Sequence, residues 1–100
     1  MASNIKVYEK ITSKTYYLNA TEPNIPNEET ITCKYDNFRS KEDIIKFINI
    51  RIDEIINERN GDVNRIEIKR NGNNFEFSFS SFNECDEEEV LYECLLYYSI

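Results

Sequence analysis

The stretch NECDEEEVLYECLLYYSI, Asn83 to Ile100, decides how the fold is read. Five acids fall within the six residues from Glu84 to Glu89, and a run rich in leucine and tyrosine follows. Asn83 and Asp86 both suit the N-cap of a helix, and acids favour the first turn because they complement the helix dipole. Val90, Leu91, Cys94, Leu95 and Tyr98 recur at helical spacing, which predicts a terminal helix with these residues on its buried face. Tyr92 and Leu96, four apart, would form a second apolar stripe beside Glu89 and Glu93. Either that stripe is a contact surface bordered by acid, or a sheet and an earlier helix cover it. The spacing leaves both open.

Upstream, Arg65 to Phe79 reads as a hairpin around Asn71-Gly72, with Ile66 and Ile68 on the same face as Phe75, Phe77 and Phe79. A two-residue Asn-Gly turn would set Glu67 against Glu76, which is unfavourable. A four-residue loop over Asn71 to Asn74 would instead pair Lys69 with Glu76, so the register stays open. Ser40 predicts the start of a helix with Asp43 at the capping-box position. Ile44, Ile45, Ile48, Ile52, Ile55 and Ile56 form its apolar stripe, and Asn60-Gly61 its stop. Ile50 falls opposite that stripe, among Lys46, Asp53, Glu54 and Asn57.

Nearer the N-terminus, alternation around Ile5 and Val7, and again around Tyr16 and Leu18, predicts two strands with a turn near Ser13-Lys14. Asn19 to Glu29, with Pro23 and Pro26, reads as a polar loop. Ile31, Cys33 and Tyr35 alternate with Thr30, Thr32 and Lys34 as a third strand. The expected fold is therefore α+β, one domain over residues 1–100. It has an antiparallel sheet of about five strands in the order β-β-β-α-β-β-α, with two helices on one face.

Composition narrows the chemistry. The 100 residues contain no histidine, which removes the usual general base, the usual zinc ligand and every Ser-His or Cys-His pair. Carboxylate-only catalysis needs a cleft that so small a domain rarely offers. Only Gly61 and Gly72 are glycines, so no phosphate loop exists. The acidic run lacks the ligand alternation and central glycine of a calcium loop. We therefore expect no catalytic residue, no metal and no cofactor. Cys33, Cys85 and Cys94 form no CxxC pair, MASNIKVYEK has no signal-type apolar region, and no apolar run is long enough for a membrane span. The expected setting is the cytoplasm, where the Asn19-Ala20-Thr21 triplet would carry no glycan.

The net charge of −7 is lopsided. Residues 1–70 hold twelve acids and twelve bases, whereas residues 71–100 hold seven acids and no Lys or Arg. Such a field repels nucleic acid and accelerates encounter with a basic surface. Lys6, Lys10, Lys14, Lys34, Arg39 and Lys41 could form a local patch with Tyr8, Tyr16 and Tyr17, in the manner of some single-strand binders. Against a pI of about 4.6, they read better as solvated strand faces.

The histidine-free, acidic chain, with Asp86-Glu87-Glu88-Glu89 followed by an apolar residue and Tyr92, resembles the small phage-encoded anti-CRISPR inhibitors over roughly its last thirty residues. The resemblance implies acids that occupy the basic site where a nuclease would read DNA. The expected function is thus a non-enzymatic inhibitor that occludes a basic nucleic-acid-handling protein, of anti-CRISPR or anti-restriction type. Its contact residues would be Glu84, Asp86, Glu87, Glu88, Glu89 and Glu93, with Tyr92, Leu96 and Ile50 as apolar anchors. The competing expectations are an assembly module forming a homodimer through the Tyr92/Leu96 stripe and a small immunity or antitoxin protein.

Overall fold

The computed structural model describes residues 5–18, 25–59 and 67–99. In chain order these form β1 (Lys6–Tyr17), β2 (Asn27–Tyr35), α1 (Lys41–Glu58), β3 (Glu67–Asn71), β4 (Asn74–Asn83) and β5 (Glu88–Ser99). The strands make one sheet in the order β2-β1-β5-β4-β3, with every neighbouring pair antiparallel. A sheet of this many strands is about 20 Å wide and a twelve-residue strand about 40 Å long. The strands therefore run along the long axis of a body measuring 58 × 21 × 21 Å.

Two sequence expectations are corrected here. The predicted terminal helix is strand β5, so the order is β-β-α-β-β-β with one helix, and the α+β arrangement with two helices on one face does not form. Residues 90–98 also carry a period of two: Tyr92, Cys94, Leu96 and Tyr98 face the helix, while Leu91, Leu95 and Tyr97 face the opposite side. β5 is the middle strand, hydrogen-bonded on both edges, and a central strand with apolar groups on both faces reads as a continuous run that imitates helical spacing. The second correction concerns the N-terminus, where the two predicted strands are one. Ser13 and Lys14 continue β1 opposite Tyr92 and Leu91, in a stretch containing no Gly, Pro or Asn to turn the chain.

The β3–β4 register pairs Lys69 with Glu76 and Ile68 with Phe77, as the longer loop would require. Asn71 and Asn74 nevertheless pair, so the turn proper is Gly72-Asn73, with Gly72 at φ 61°, a conformation only glycine adopts without cost. Ser40 caps α1, its Oγ accepting the Asp43 N–H at 3.2 Å. The proposed Asn60-Gly61 stop, Ile66 and the Asn19 triplet lie outside the described residues.

α1 lies across one face of the sheet and buries Ile44, Ile48, Ile52 and Ile55 against Val7, Ile11, Phe75, Phe77, Phe79, Cys94, Leu96 and Tyr98. Eighteen helical residues span about 27 Å, shorter than the strands they cover. Tyr35 and Phe38 pack on Phe47 near one end of the helix, and Arg59 reaches Tyr92 at the other. The last rows of the sheet before the turn that joins β4 to β5 are Thr15–Val90–Ser81 and Tyr17–Glu88–Asn83. Among the described residues no helix is long and apolar enough to cross a membrane.

Candidate partner-binding surface

Those rows end in the β4–β5 hairpin, and the turn between the strands holds Glu84, Cys85, Asp86 and Glu87, all exposed. Local hydrogen bonds fix its shape. Asn83 Oδ1 accepts the Cys85 N–H at 3.1 Å, and Asn83 Nδ2 donates to Asp86 Oδ2 at 2.9 Å. Glu87 has φ 51°, a left-handed conformation that costs a non-glycine residue about 1–2 kcal/mol. In that conformation its carbonyl accepts the Leu18 N–H at 3.0 Å, tying the end of β1 to the turn.

Glu88 and Glu89 open β5 on opposite faces. Glu88 lies between Tyr17 and Asn83 on the helix side, and Glu89 between Tyr16 and Phe82 on the other. Five of the predicted contact residues, Glu84, Asp86, Glu87, Glu88 and Glu89, therefore share one end of the molecule. Among the described residues no Lys or Arg pairs with any of them. Beside them at the same end stand Tyr17 and Leu18, 43% and 53% exposed. The sequence reading placed these two in a separate strand, because nothing local shows that β1 pairs with the acidic segment across seventy residues.

The other predicted anchors do not join this end. Leu96 is fully buried between Glu9 and Phe75, so it contacts no partner. Tyr92 stacks on Phe79 at 4.7 Å beneath the Arg59 guanidinium, and burial raises its phenol pKa. The Tyr92/Leu96 stripe therefore faces the helix side of the sheet, Leu96 fully buried and Tyr92 partly buried. Glu93 sits mid-strand on the helix-free face, between Thr12 and Ser78. Ile50 is half exposed, but it lies about 12 Å along the helix axis from the end at Glu58.

One polar cluster escaped the sequence reading altogether. Glu9, 4% exposed, projects from β1 into the helix face between Val7 and Ile11. Arg51 grips it with two prongs, Nε to Oε1 at 2.6 Å and Nη2 to Oε2 at 3.2 Å, and the Tyr35 hydroxyl donates to Oε1 at 3.3 Å. The bond to Glu9 raises the Arg51 pKa against the opposing effect of burial. Burial, the Cys33 side chain and the Glu9 charge together raise that of Tyr35. The signal was present in Val7-x-Glu9-x-Ile11, an acid in register with two core residues. Arg51 stands three residues from Ile48 and four from Ile55, beside the apolar stripe.

The helix-free face carries a shallow concavity of about 420 Å³, walled by Lys10 and Lys69 on one hand and Glu67, Glu76 and Glu93 on the other. Charges of both signs interleave there, so it has no electrostatic preference for one ligand class. Among the described residues no cluster of His, Cys, Asp or Glu is placed to hold a metal ion. No protein-family model, curated protein or solved structure matches the chain.

Proposed function

We propose that this chain is a non-enzymatic acidic inhibitor that binds and occludes a basic nucleic-acid-handling protein in the cytoplasm, of anti-CRISPR or anti-restriction type. One observation carries the reading: Glu84, Asp86, Glu87, Glu88 and Glu89 converge on one end of a 58 Å body with no cation paired to them among the described residues, next to exposed Tyr17 and Leu18. The acids stand in for phosphates on a positively charged groove, and the tyrosine and leucine supply the apolar anchor that a charge-only contact lacks. The hairpin replaces the predicted helix as the bearer of the acids, and Tyr17 and Leu18 replace Tyr92 and Leu96 as anchors. An elongated wedge with its charge at the tip suits insertion into a nucleic-acid channel.

The test uses the full chain against a panel of RNA-guided and restriction nucleases, with duplex DNA as competitor. The parent should inhibit at least one of them, less well as salt rises and screening shortens toward the ~8 Å Debye length of physiological buffer. Glu84→Lys and Glu87→Lys combined should abolish inhibition while melting within a few degrees of the parent, because these side chains lie outside the core and the Asn83–Asp86 bond that shapes the turn is kept. Undiminished inhibition by that folded variant rejects the hairpin as the working surface.

A further inference from the structure

We propose that two copies of this chain pair through the outer edge of β2, joining their sheets into one. β2 ends the strand order, so among the described residues one side of its backbone meets no other strand, and every residue from Asn27 to Lys34 is exposed. An unpaired edge of nine residues is a template for strand addition unless charge, proline or a bulge blocks it. The charges it carries do not block a second copy; they complement it.

Two identical antiparallel strands related by a two-fold must have the axis on a residue, since a residue pointing its N–H and C=O outward has to meet another that does the same. With the axis on Ile31 the whole strand is used. Glu28 then faces Lys34 of the other copy twice, Thr30 faces Thr32 twice, and Ile31 faces its own counterpart. Moving the axis to Thr32 sets Glu28 against Asp36, and moving it to Thr30 sets Lys34 against Pro26. Of these three, only the Ile31 register pairs opposite charges. It also covers Ile31, which is 52% exposed in the single chain. Continuing the sheet in this way leaves both helices on the same face and sends the two acidic hairpins to opposite ends. The pairing is independent of the hairpin's function, since it uses none of residues 83–89.

Sedimentation of the full chain between micromolar and roughly millimolar concentration, together with two charge reversals, tests this directly. The parent should show a concentration-dependent dimer. Lys34→Glu and Glu28→Lys each place two like-charge contacts in their own dimer, and each should weaken self-association by roughly tenfold or more. Circular dichroism confirms that each variant is folded, because Glu28 also faces Lys14 within the chain. Mixing the two variants restores every opposite-charge contact between them, so a heterodimer should form from two chains that are each monomeric. A parent that stays monomeric throughout overturns the proposal. So does a dimer that survives both reversals, or a mixture that fails to associate.

Discussion

Replacing Arg51 by methionine should be among the most destabilising single changes to this protein, and the structure sets the size of the loss. Glu9 is 4% exposed and receives three hydrogen bonds, two of them from Arg51 at 2.6 and 3.2 Å and one from Tyr35 at 3.3 Å. Arg51→Met removes both charge-assisted bonds and leaves a carboxylate among isoleucines with one weak donor. Two bonds to a charged group at about 1.5–3 kcal/mol each give roughly 3–6 kcal/mol, matching the roughly 3–5 kcal/mol seen when a buried pair loses one partner. The contacts of Arg51 with Glu54 and Glu58 add little, because those acids are more than half exposed. For a domain of this size 1 kcal/mol shifts Tm by about 4–8 °C, so the variant should melt at least about 12 °C lower. The double variant Glu9→Leu with Arg51→Met replaces the pair by apolar groups and should recover most or all of the loss. Urea unfolding of the parent, both single variants and the double completes the cycle. A cost below about 1 kcal/mol for Arg51→Met, the level of an exposed ion pair, would refute the buried-pair argument.

The same physics governs other single groups. Cys94 is buried and its thiol pKa is pushed up to about 12, chiefly by burial. A thiol reagent at pH 8 should therefore label only the exposed Cys33 and Cys85 in the native protein and all three cysteines after unfolding. Because the folded value lies above the ordinary 9.0, the stability tied to this thiol is complete below pH 9 and is lost as pH rises toward 12; an alkaline melting series checks that sign. The hydroxyl of Tyr98 is buried with no hydrogen-bond partner among the described residues, so Tyr98→Phe should leave stability unchanged or raise it by about 1 kcal/mol in urea titrations.

Local signals and long-range ones fared differently in the sequence. Ser40, the isoleucine stripe of α1 and the apolar face of β4 were legible because cap and spacing lie within a few residues of one another. β5 was not. Its acids fit a helix start and its apolar groups fit two periods at once, and what decides between them is pairing with β1, some eighty residues earlier, and with β4. The site inherits the same division. The acids were visible as composition, whereas their neighbours Tyr17 and Leu18 come from the far end of the chain and become neighbours only through that pairing. Glu9 was hidden because an acid in an alternating stretch counts against a core position until its counter-ion is known.

Glu9 also bears on how the acidic end is assembled. β1 is a weakly patterned strand: beyond Ile11 one face carries Ser13, Thr15 and Tyr17 and the other Thr12, Lys14 and Tyr16, so alternation alone does little to decide which face meets the helix. A slip of one residue would exchange the faces and push Lys10 into the position opposite Leu96 that Glu9 now fills. Arg51 has no acceptor for a lysine there, and two cations would be buried together. The bidentate bond therefore selects the face of β1 as well as holding the helix to it. The opposite end of that strand is where Tyr17 comes to lie across from Glu88 and Leu18 donates to Glu87. A slip that moved Glu9 would carry Tyr17 and Leu18 out of register with the hairpin. By this reasoning the buried pair, some eight residues from Tyr17 along β1, sets which apolar groups stand beside the acids. The fully apolar double variant should then fold as stably as the parent yet hold Tyr17 and Leu18 less uniquely against the turn, a difference that amide exchange at the Leu18 N–H would report.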